Sequence, residues 1–168
     1  HMRICTDSDV CYEARRVILA MGVRRRHLNV PGEDRLAGHG VGWCAVCDGA
    51  FFRGQDVAVV GGGNTALEDA LYLSGLCKTV YLLVRKNEFR GQAALIQRVT
   101  EKDNIEVCFQ TEVTEILGDT KVSGIHITQE GRTETIPLSG VFIAIGLQPD
   151  TSLYGDLVKT DPSGYIVA

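Results

Sequence analysis

The stretch Val57-Ala-Val-Val-Gly-Gly-Gly-Asn-Thr-Ala66 decides the fold of this chain. The short β-branched run Val57–Val60 is typical of a buried parallel strand. Directly after it, Gly61-Gly62-Gly63-Asn64-Thr65-Ala66 fits the G-x-G-x-x-A pattern. In that pattern Gly61 permits a tight turn, Gly63 lets the backbone approach a pyrophosphate, and Ala66 lets helix and strand pack closely. Apolar residues at helical spacing then predict a helix over Asn64–Leu76, whose N-terminal N–H groups can bind an anion. A plain tight turn in an α/β domain is the alternative.

The segments around this stretch extend it into a larger α/β unit. We expect buried strands, a second helix, a segment of period two that is typical of an antiparallel meander, and a final return to the parallel sheet. In chain order they are a strand at Ala14–Gly22, a strand at Val80–Val84, a helix at Arg90–Lys102, a strand at Ile105–Phe109, the meander at Glu112–Leu138 and a strand at Val141–Ile145. The sequence therefore predicts an α/β fold, a Rossmann-like three-layer nucleotide-binding domain with a parallel sheet and an inserted antiparallel β-meander.

Basic residues follow the second strand of the nucleotide-binding unit. The strand ends in Val84-Arg85-Lys86, and Arg90 comes shortly after. A site for NAD usually carries an acidic residue there, which accepts hydrogen bonds from the ribose 2′-hydroxyl. Cations at this position instead pair with the 2′-phosphate of NADPH, arginine in bidentate fashion. The pattern favours NADPH, with a solvated basic patch as the alternative.

A second motif, Cys44-Ala-Val-Cys47-Asp48, has the spacing of a dithiol–disulfide couple. One helical turn brings two cysteines at this spacing together, and a helix N-terminus favours the thiolate of the first. Asp48 follows directly and is placed to exchange a proton with a thiolate. The remaining cysteines, Cys5, Cys11, Cys77 and Cys108, stand alone in the sequence.

The cysteine pair has three other interpretations. A zinc site needs four ligands, and the further candidates are Cys5, Cys11 and His39, whose spacing is not that of a usual zinc knuckle. Two unrelated buried thiols and a structural disulfide are the others, and the last is uncommon in an intracellular chain. Redox chemistry is the favoured interpretation.

Composition excludes several classes of protein. The 168 residues contain 17 Lys+Arg and 21 Asp+Glu, a net charge of −4, which disfavours a nucleic-acid partner. The apolar runs are far shorter than the roughly 20 residues that span a bilayer, so we expect no membrane partner. His1-Met2 is interpreted as a cloning remnant, and no signal-peptide pattern follows it, so we expect a cytoplasmic protein.

In these motifs the chain resembles the low-molecular-weight thioredoxin reductases. Four segments match the pattern of that family over nearly the whole chain: Cys44–Phe52, Gly61–Ala66, Arg85-Lys86 with Arg90, and Ala144–Pro149. The resemblance implies that residues 27–150 are an NADPH-binding domain that carries the redox C-x-x-C. It also implies that 3–26 and 151–168 are linkers and stubs of an FAD domain, and that Gly146 belongs to the cofactor-binding residues.

The same resemblance implies a reaction sequence and roles for the site residues. NADPH reduces FAD, and the flavin reduces the Cys44–Cys47 disulfide after the domains rotate. Cys47 faces the flavin, Cys44 is the exposed nucleophile toward thioredoxin or a thioredoxin-like protein, and Asp48 is the acid/base. Phe51 and Phe52 either form an apolar groove for thioredoxin or belong to the core. The parent enzyme is expected to be a homodimer, assembled mostly through the FAD domain.

Departures from the family pattern keep alternatives open. Val84 stands where many members have histidine before the basic pair, and His39 stands where some have arginine near the docking surface. The alternatives are the NADH-dependent reductase subunit of the peroxiredoxin system, a reductase fed by ferredoxin, and a pure nucleotide-binding module. Because the chain carries one dinucleotide fingerprint and none for FAD, we expect it to bind NADPH in isolation without turnover.

Overall fold

The computed structural model describes residues 2–151 and 157–167. The chain divides into two compact units, which we call the central unit, Arg25–Leu147, and the terminal unit, which comprises His1–Arg24 and Gln148–Ala168. His1 of the predicted remnant lies outside the described residues, as do 152–156 and Ala168 of the predicted C-terminal stub.

Strands account for most of the elements. In chain order they are β1 (Met2–Cys5), β2 (Cys11–Ala14), β3 (Val23–Arg25), β4 (Val41–Gly42), β5 (Asp56–Val60), β6 (Thr79–Val84), β7 (Ile105–Phe109), β8 (Thr111–Leu117), β9 (Gly124–Gln129), β10 (Arg132–Pro137), β11 (Gly140–Ile143) and β12 (Leu147–Pro149). The helices are α1 (Ala45–Asp48), α2 (Asn64–Ser74) and α3 (Ala93–Thr100), and a 3-10 turn at Gly49–Phe52 follows α1.

A five-stranded parallel sheet, in the order β4-β11-β5-β6-β7, forms the middle of the central unit. The strands predicted to begin at residues 57, 80, 105 and 141 are therefore confirmed as β5, β6, β7 and β11. Helix α2 connects β5 to β6 as the motif requires. The two-residue β4 was not predicted, because a strand this short carries no hydrophobic period.

Alternate residues of each central strand face two different layers. Val57 and Val59 of β5 pack with the buried faces of α2 and α3, whereas Ala58 and Val60 pack with the meander. The sheet is thus covered by helices on one side and by β8–β10 on the other. This arrangement confirms the predicted three-layer α/β fold.

The meander of β8, β9 and β10 is antiparallel, in the order β10-β9-β8, as predicted. The register of β8 against β9 shifts between Val113 and Glu115, which marks a β-bulge. Ile116, Ile125 and Ile127 are buried and pack in the same core cluster as Ala58 and Val60 of β5. β10 is the exposed edge of this small sheet.

One predicted strand and the start of one predicted helix were wrong. The apolar run Ala14–Gly22 is not a buried strand, since β2 ends at Ala14 and Ile18 is 92% exposed. β1 and β2 pair only with each other among the described residues, so this run has no sheet to extend. The second helix begins at Ala93 rather than Arg90, because the segment before it is bonded to the glycine turn instead of to a helix.

Within the described part of the chain, no helix has the length and apolar character needed to cross a membrane.

Candidate functional site

The glycine turn lies where the carboxyl ends of three parallel strands meet. The Gly61 N–H donates to the Leu83 carbonyl at 3.0 Å, and the Ala144 N–H donates to the Val60 carbonyl at 2.8 Å. Gly61 has a φ of 148°, a conformation that side chains rarely adopt. A Cβ at Gly61 would also meet the Ala144 carbonyl oxygen and lie 3.0 Å from the Cβ of Ala66. Packing of the chain itself therefore requires glycine at this position.

Gly62 and Gly63 differ in what surrounds them. A Cβ on Gly62 would lie 2.8 Å from Cγ1 of Val84, whereas a Cβ on Gly63 would meet nothing within 4 Å. The open space beside Gly63 adjoins the start of α2, where Gly63 is the N-cap and makes no side-chain cap. Because the first N–H groups of a helix have no carbonyl partner within it, this space is suited to an anionic group.

Two backbone contacts bring the basic residues to the glycine turn. The Arg90 N–H donates to the Gly62 carbonyl at 2.8 Å, and the Gln92 N–H donates to Oδ1 of Asn64 at 2.8 Å. Arg85, Lys86 and Arg90 are exposed and form no ion pair with any described residue. The side chain of Asn64 thus holds the loop that carries these cations.

Val84 and Gly146 are two further positions at this edge of the sheet. Val84 is buried and packs under Gly62, so it takes no part in the basic surface. Gly146 is exposed with a φ of 99°, and its carbonyl accepts the Arg26 N–H at 3.2 Å. Gly146 therefore lies just beyond the carboxyl end of β11, on the same sheet edge as the glycine turn.

Cys44 and Cys47 form a disulfide across the first turn of α1. Cys44 is the N-cap, and its sulfur accepts the Cys47 N–H at 3.2 Å. Cys44 is half-buried and Cys47 is exposed. Both sulfurs thus lie at or near the surface of the chain, at the start of α1.

Asp48 completes the helical turn behind the disulfide. Its N–H donates to the Cys44 carbonyl at 3.1 Å, and the residue is half-buried. Its Oδ2 lies 3.2 Å from where a Cβ of Gly42 would stand. The absence of a side chain at Gly42 therefore makes room for the Asp48 carboxylate over β4.

The two phenylalanines after the disulfide have different surroundings. Phe52 packs edge-on against Phe142 with ring centroids 5.5 Å apart, and it contacts the core. Phe51 is 77% exposed, and Val46, which lies between the two cysteines, is 67% exposed. Phe52 is thus a core residue, and Phe51 with Val46 forms an apolar surface beside the disulfide.

Comparison with known proteins agrees with this combination of a glycine turn and a C-x-x-C disulfide. The family model described as pyridine nucleotide-disulphide oxidoreductase matches residues 3–168. The chain belongs to the pyridine nucleotide-disulphide oxidoreductase family. It is 44% identical to the thioredoxin reductase of Mycolicibacterium smegmatis over 160 residues, which cover 94% of this chain and 51% of that protein.

Two other similar proteins extend the comparison. The chain is 43% identical to the bifunctional thioredoxin reductase/thioredoxin of Mycobacterium leprae, covering 98% of this chain and 36% of that protein. The crystal structure of Lactococcus lactis thioredoxin reductase matches with a TM-score of 0.88 at 35% identity, covering 99% of this chain and 55% of that one. The chain thus spans about half or less of the length of these oxidoreductases.

A cluster next to the Cys44–Cys47 disulfide was not predicted from the sequence. The ring of His27 lies 5.2 Å from that of Trp43, the residue before Cys44, and the Arg25 guanidinium lies 5.9 Å from the same ring. His27 Nδ1 is 3.0 Å from Oε1 of the buried Glu33. Trp43 Nε1 is buried and has no hydrogen-bond partner among the described residues. An aromatic residue directly before the C-x-x-C was the signal available in the sequence.

The sequence also did not predict a second disulfide. Cys5 and Cys11, which belong to no motif in the sequence, are bonded to each other. Since all four candidate cysteines are in disulfides, they do not supply thiolates for the zinc alternative. Cys77 and Cys108 are free, and burial raises the pKa of Cys77 to about 11. The signal for the missed pairing was the equal distance of Cys5 and Cys11 from Ser8 in the Asp7-Ser8-Asp9 turn.

Proposed function

We propose that this chain is the NADPH-binding and redox-disulfide portion of a flavin-dependent thioredoxin-disulfide reductase. Electrons pass from NADPH to FAD, then to the Cys44–Cys47 disulfide, and finally to thioredoxin or a thioredoxin-like protein. The observation that carries the proposal is one compact unit that holds both a C-x-x-C disulfide and a dinucleotide turn beside exposed cations. The similarity to thioredoxin reductases along nearly the whole chain supports the same assignment.

The pyridine nucleotide is proposed to bind at the glycine turn. The fit of its pyrophosphate rests on Gly63, since no described residue would contact a side chain there and the open space adjoins the free N–H groups of α2. Arg85, Lys86 and Arg90 are placed to pair with a 2′-phosphate, which favours NADPH over NADH. Asn64 and Gly62 hold the cationic loop in position.

Flavin, when bound, accepts hydride from a nicotinamide and passes two electrons to a disulfide. The chain contains one dinucleotide fingerprint, and we propose that FAD is held mainly by the part of the enzyme that lies beyond these residues. Residues 3–26 and 151–168 are proposed to belong to that flavin domain. The exposed apolar side chains of the terminal unit, such as Ile18 and Tyr12, support this assignment.

Reduction of Cys44–Cys47 yields two thiols and consumes two electrons and two protons. One thiolate then attacks the disulfide of the partner protein and forms a mixed disulfide, which the second thiolate resolves. Asp48 is proposed to hold and return the proton of the nearer thiol. We keep Cys44 as the proposed nucleophile, because the Cys47 N–H that donates to its sulfur favours the thiolate after reduction.

The surface beside the disulfide fits a protein substrate. Phe51 and Val46 expose apolar area within a few residues of both sulfurs, and exposed apolar patches mark protein contacts. We propose that this patch receives thioredoxin or a thioredoxin-like protein. The whole enzyme is proposed to be a cytoplasmic homodimer, by its resemblance to the family.

The main alternative is the NADH-dependent reductase subunit of a peroxiredoxin system. The cations after β6 disfavour it, because NADH has no 2′-phosphate to pair with them. The intact turn at Gly61 and Gly63 disfavours a reductase fed by ferredoxin. A pure nucleotide-binding module would leave the Cys44–Cys47 disulfide without a purpose.

Calorimetric titration of the chain with NADPH and with NADH tests the proposal. We expect NADPH to bind more tightly, and the double variant Arg85→Glu, Lys86→Glu to lose about 10- to 100-fold in NADPH affinity, since one charge-assisted hydrogen bond contributes roughly 1.5–3 kcal/mol. Binding of NADH should change little in the same variant. Lys102→Glu, an exposed charge reversal after α3, is the matched control.

Equal affinity for the two nucleotides, or tighter binding of NADH, would favour the peroxiredoxin reductase instead. Reduction of thioredoxin by this chain with NADPH alone would contradict the need for a flavin domain. Loss of NADPH binding in Lys102→Glu as large as in the double variant would show that only the overall charge matters.

A further inference from the structure

A second disulfide lies on an exposed hairpin of the terminal unit. Cys5 on β1 and Cys11 on β2 are direct cross-strand partners, with their Cα atoms 4.1 Å apart. Such a short separation is typical of a non-hydrogen-bonded pair in an antiparallel ladder, where side chains are closest. Both cysteines are exposed in this chain, so here a thiol in solution can reach the bond between them.

The hairpin is closed by its own backbone next to this bond. The Thr6 N–H donates to the Val10 carbonyl at 2.9 Å, and the Asp9 N–H donates to the Thr6 carbonyl at 3.1 Å. Asp9 has a φ of 59°, a conformation that aspartate tolerates in tight turns. Because these contacts do not involve sulfur, Cys5 and Cys11 are expected to remain neighbours when reduced.

We propose that Cys5 and Cys11 form a second thiol–disulfide exchange site, which takes low-molecular-weight dithiols as its reductant. A thiolate of the dithiol attacks one sulfur, the Cys5–Cys11 bond breaks, and the released cysteine takes a proton from solvent. The second thiol of the reductant then attacks the mixed disulfide and closes its own disulfide. The hairpin gains two electrons and two protons, and the dithiol loses the same number.

This site is independent of the proposed reductase activity. It lies in the terminal unit, uses cysteines separated by six residues rather than three, and is set by strand register rather than by a helical turn. The free cysteines provide an internal comparison. Cys77 is buried and burial raises the pKa of its thiol, so it should react only when the central unit opens.

The test uses the double variant Cys44→Ser, Cys47→Ser. This variant lacks the Cys44–Cys47 disulfide and keeps the Cys5–Cys11 disulfide. The protein is equilibrated without denaturant in buffers of reduced and oxidised dithiothreitol, then alkylated and analysed by mass spectrometry. We expect Cys5 and Cys11 to become alkylated together, in one two-electron transition, while Cys77 stays unmodified. Alkylation of Cys5 and Cys11 already in oxidised buffer, or only together with Cys77, would overturn the proposal.

A single-cysteine variant tests whether the pair acts as a couple. In Cys11→Ser on the same background, oxidised glutathione should leave a lasting adduct on Cys5. With both cysteines present the adduct should be lost, because Cys11 attacks it and restores the disulfide. An adduct on Cys5 that lasts equally in both proteins would contradict the exchange site.

Discussion

The central and terminal units use apolar residues in opposite ways. In the central unit, alternate faces of β5 and β6 feed two separate cores, and residues such as Leu82 and Val141 are fully buried. In the terminal unit, no described residue is buried, and large apolar side chains such as Ile18 and Tyr12 are exposed. The motifs for dinucleotide and C-x-x-C chemistry both lie in the unit with its own cores.

This difference shows that an apolar segment is buried only where another sheet or layer packs against it. Apolar burial contributes about 25 cal/mol to the free energy of unfolding for each Å² removed from water. In the central unit the buried side chains pack against other residues of the same unit. The terminal unit relies instead on a hairpin with a disulfide and on local turns. Variants that shorten a side chain should therefore have different effects in the two units.

The largest expected effect comes from a cavity in the central unit. Leu82→Ala should lower the free energy of unfolding by about 2–5 kcal/mol, because a fully buried leucine leaves a cavity that neighbours fill only in part. Ile18→Ala, at an exposed apolar position of the terminal unit, should change it by less than about 0.5 kcal/mol. Urea denaturation of both variants measures the contrast, and equal losses would remove the distinction between the units.

The next effect concerns the buried carboxylate of Glu33. It accepts the N–H groups of Leu28 at 3.2 Å and Asn29 at 2.7 Å. Glu33→Ala should therefore cost about 2–3 kcal/mol, since these donors lose a charged acceptor in a buried place. Asp34→Ala removes the exposed neighbouring carboxylate and is the matched control. Thermal unfolding that shifts equally in both variants would contradict this role of Glu33.

Two glycines of the turn should separate stability from binding. Gly61→Ala forces a side chain into a positive φ against the Ala144 carbonyl, and we expect a loss of about 1–3 kcal/mol in stability. Gly63→Ala meets nothing in the chain, so it should leave the unfolding free energy nearly unchanged while weakening NADPH binding at least tenfold. Unchanged NADPH affinity in Gly63→Ala would show that the open space is not where the nucleotide binds.

The smallest effect is a pH-dependent gain. Burial, with a smaller contribution from Glu68, raises the pKa of Asp69 on α2 to about 6. The neutral carboxyl is favoured in the folded state, so its contribution is complete below the unfolded pKa and is lost as pH rises through 6. Asp69→Asn should therefore stabilise the chain at pH 7.5 by on the order of 1 kcal/mol, allowing for solvent screening.

The gain in Asp69→Asn should vanish near pH 4, where wild type and variant are both largely neutral at this position. Thermal unfolding across that range measures it, with Glu68→Gln as a control that should give a smaller gain. A gain that does not depend on pH would mean that packing, rather than ionisation, is responsible.

Most of the fold could be predicted because its signals are local. The β-branched run before Gly61, the helical spacing after it and the period-two meander each fix an element within a few residues. The run Ala14–Gly22 was mispredicted because its apolar pattern does not reveal whether a neighbouring strand exists. β4 was missed because its two residues are held only by pairing with β11.

The candidate site was predicted less completely than the fold. The glycine turn, the basic residues and the C-x-x-C are contiguous motifs and were visible in the sequence. The Glu33–His27–Trp43 cluster and the Cys5–Cys11 bond were not, because each depends on residues brought together by turns and register.

The most direct test of the central claim is a titration of the isotopically labelled chain with NADPH, followed by NMR of its backbone amides. We predict that the largest shifts occur at Gly62–Ala66 and at Arg85–Arg90, where the free N–H groups and the cations lie on one sheet edge. Amides of the hairpin β1–β2 should not move. Saturable shifts elsewhere with none at the glycine turn would contradict the proposed binding site.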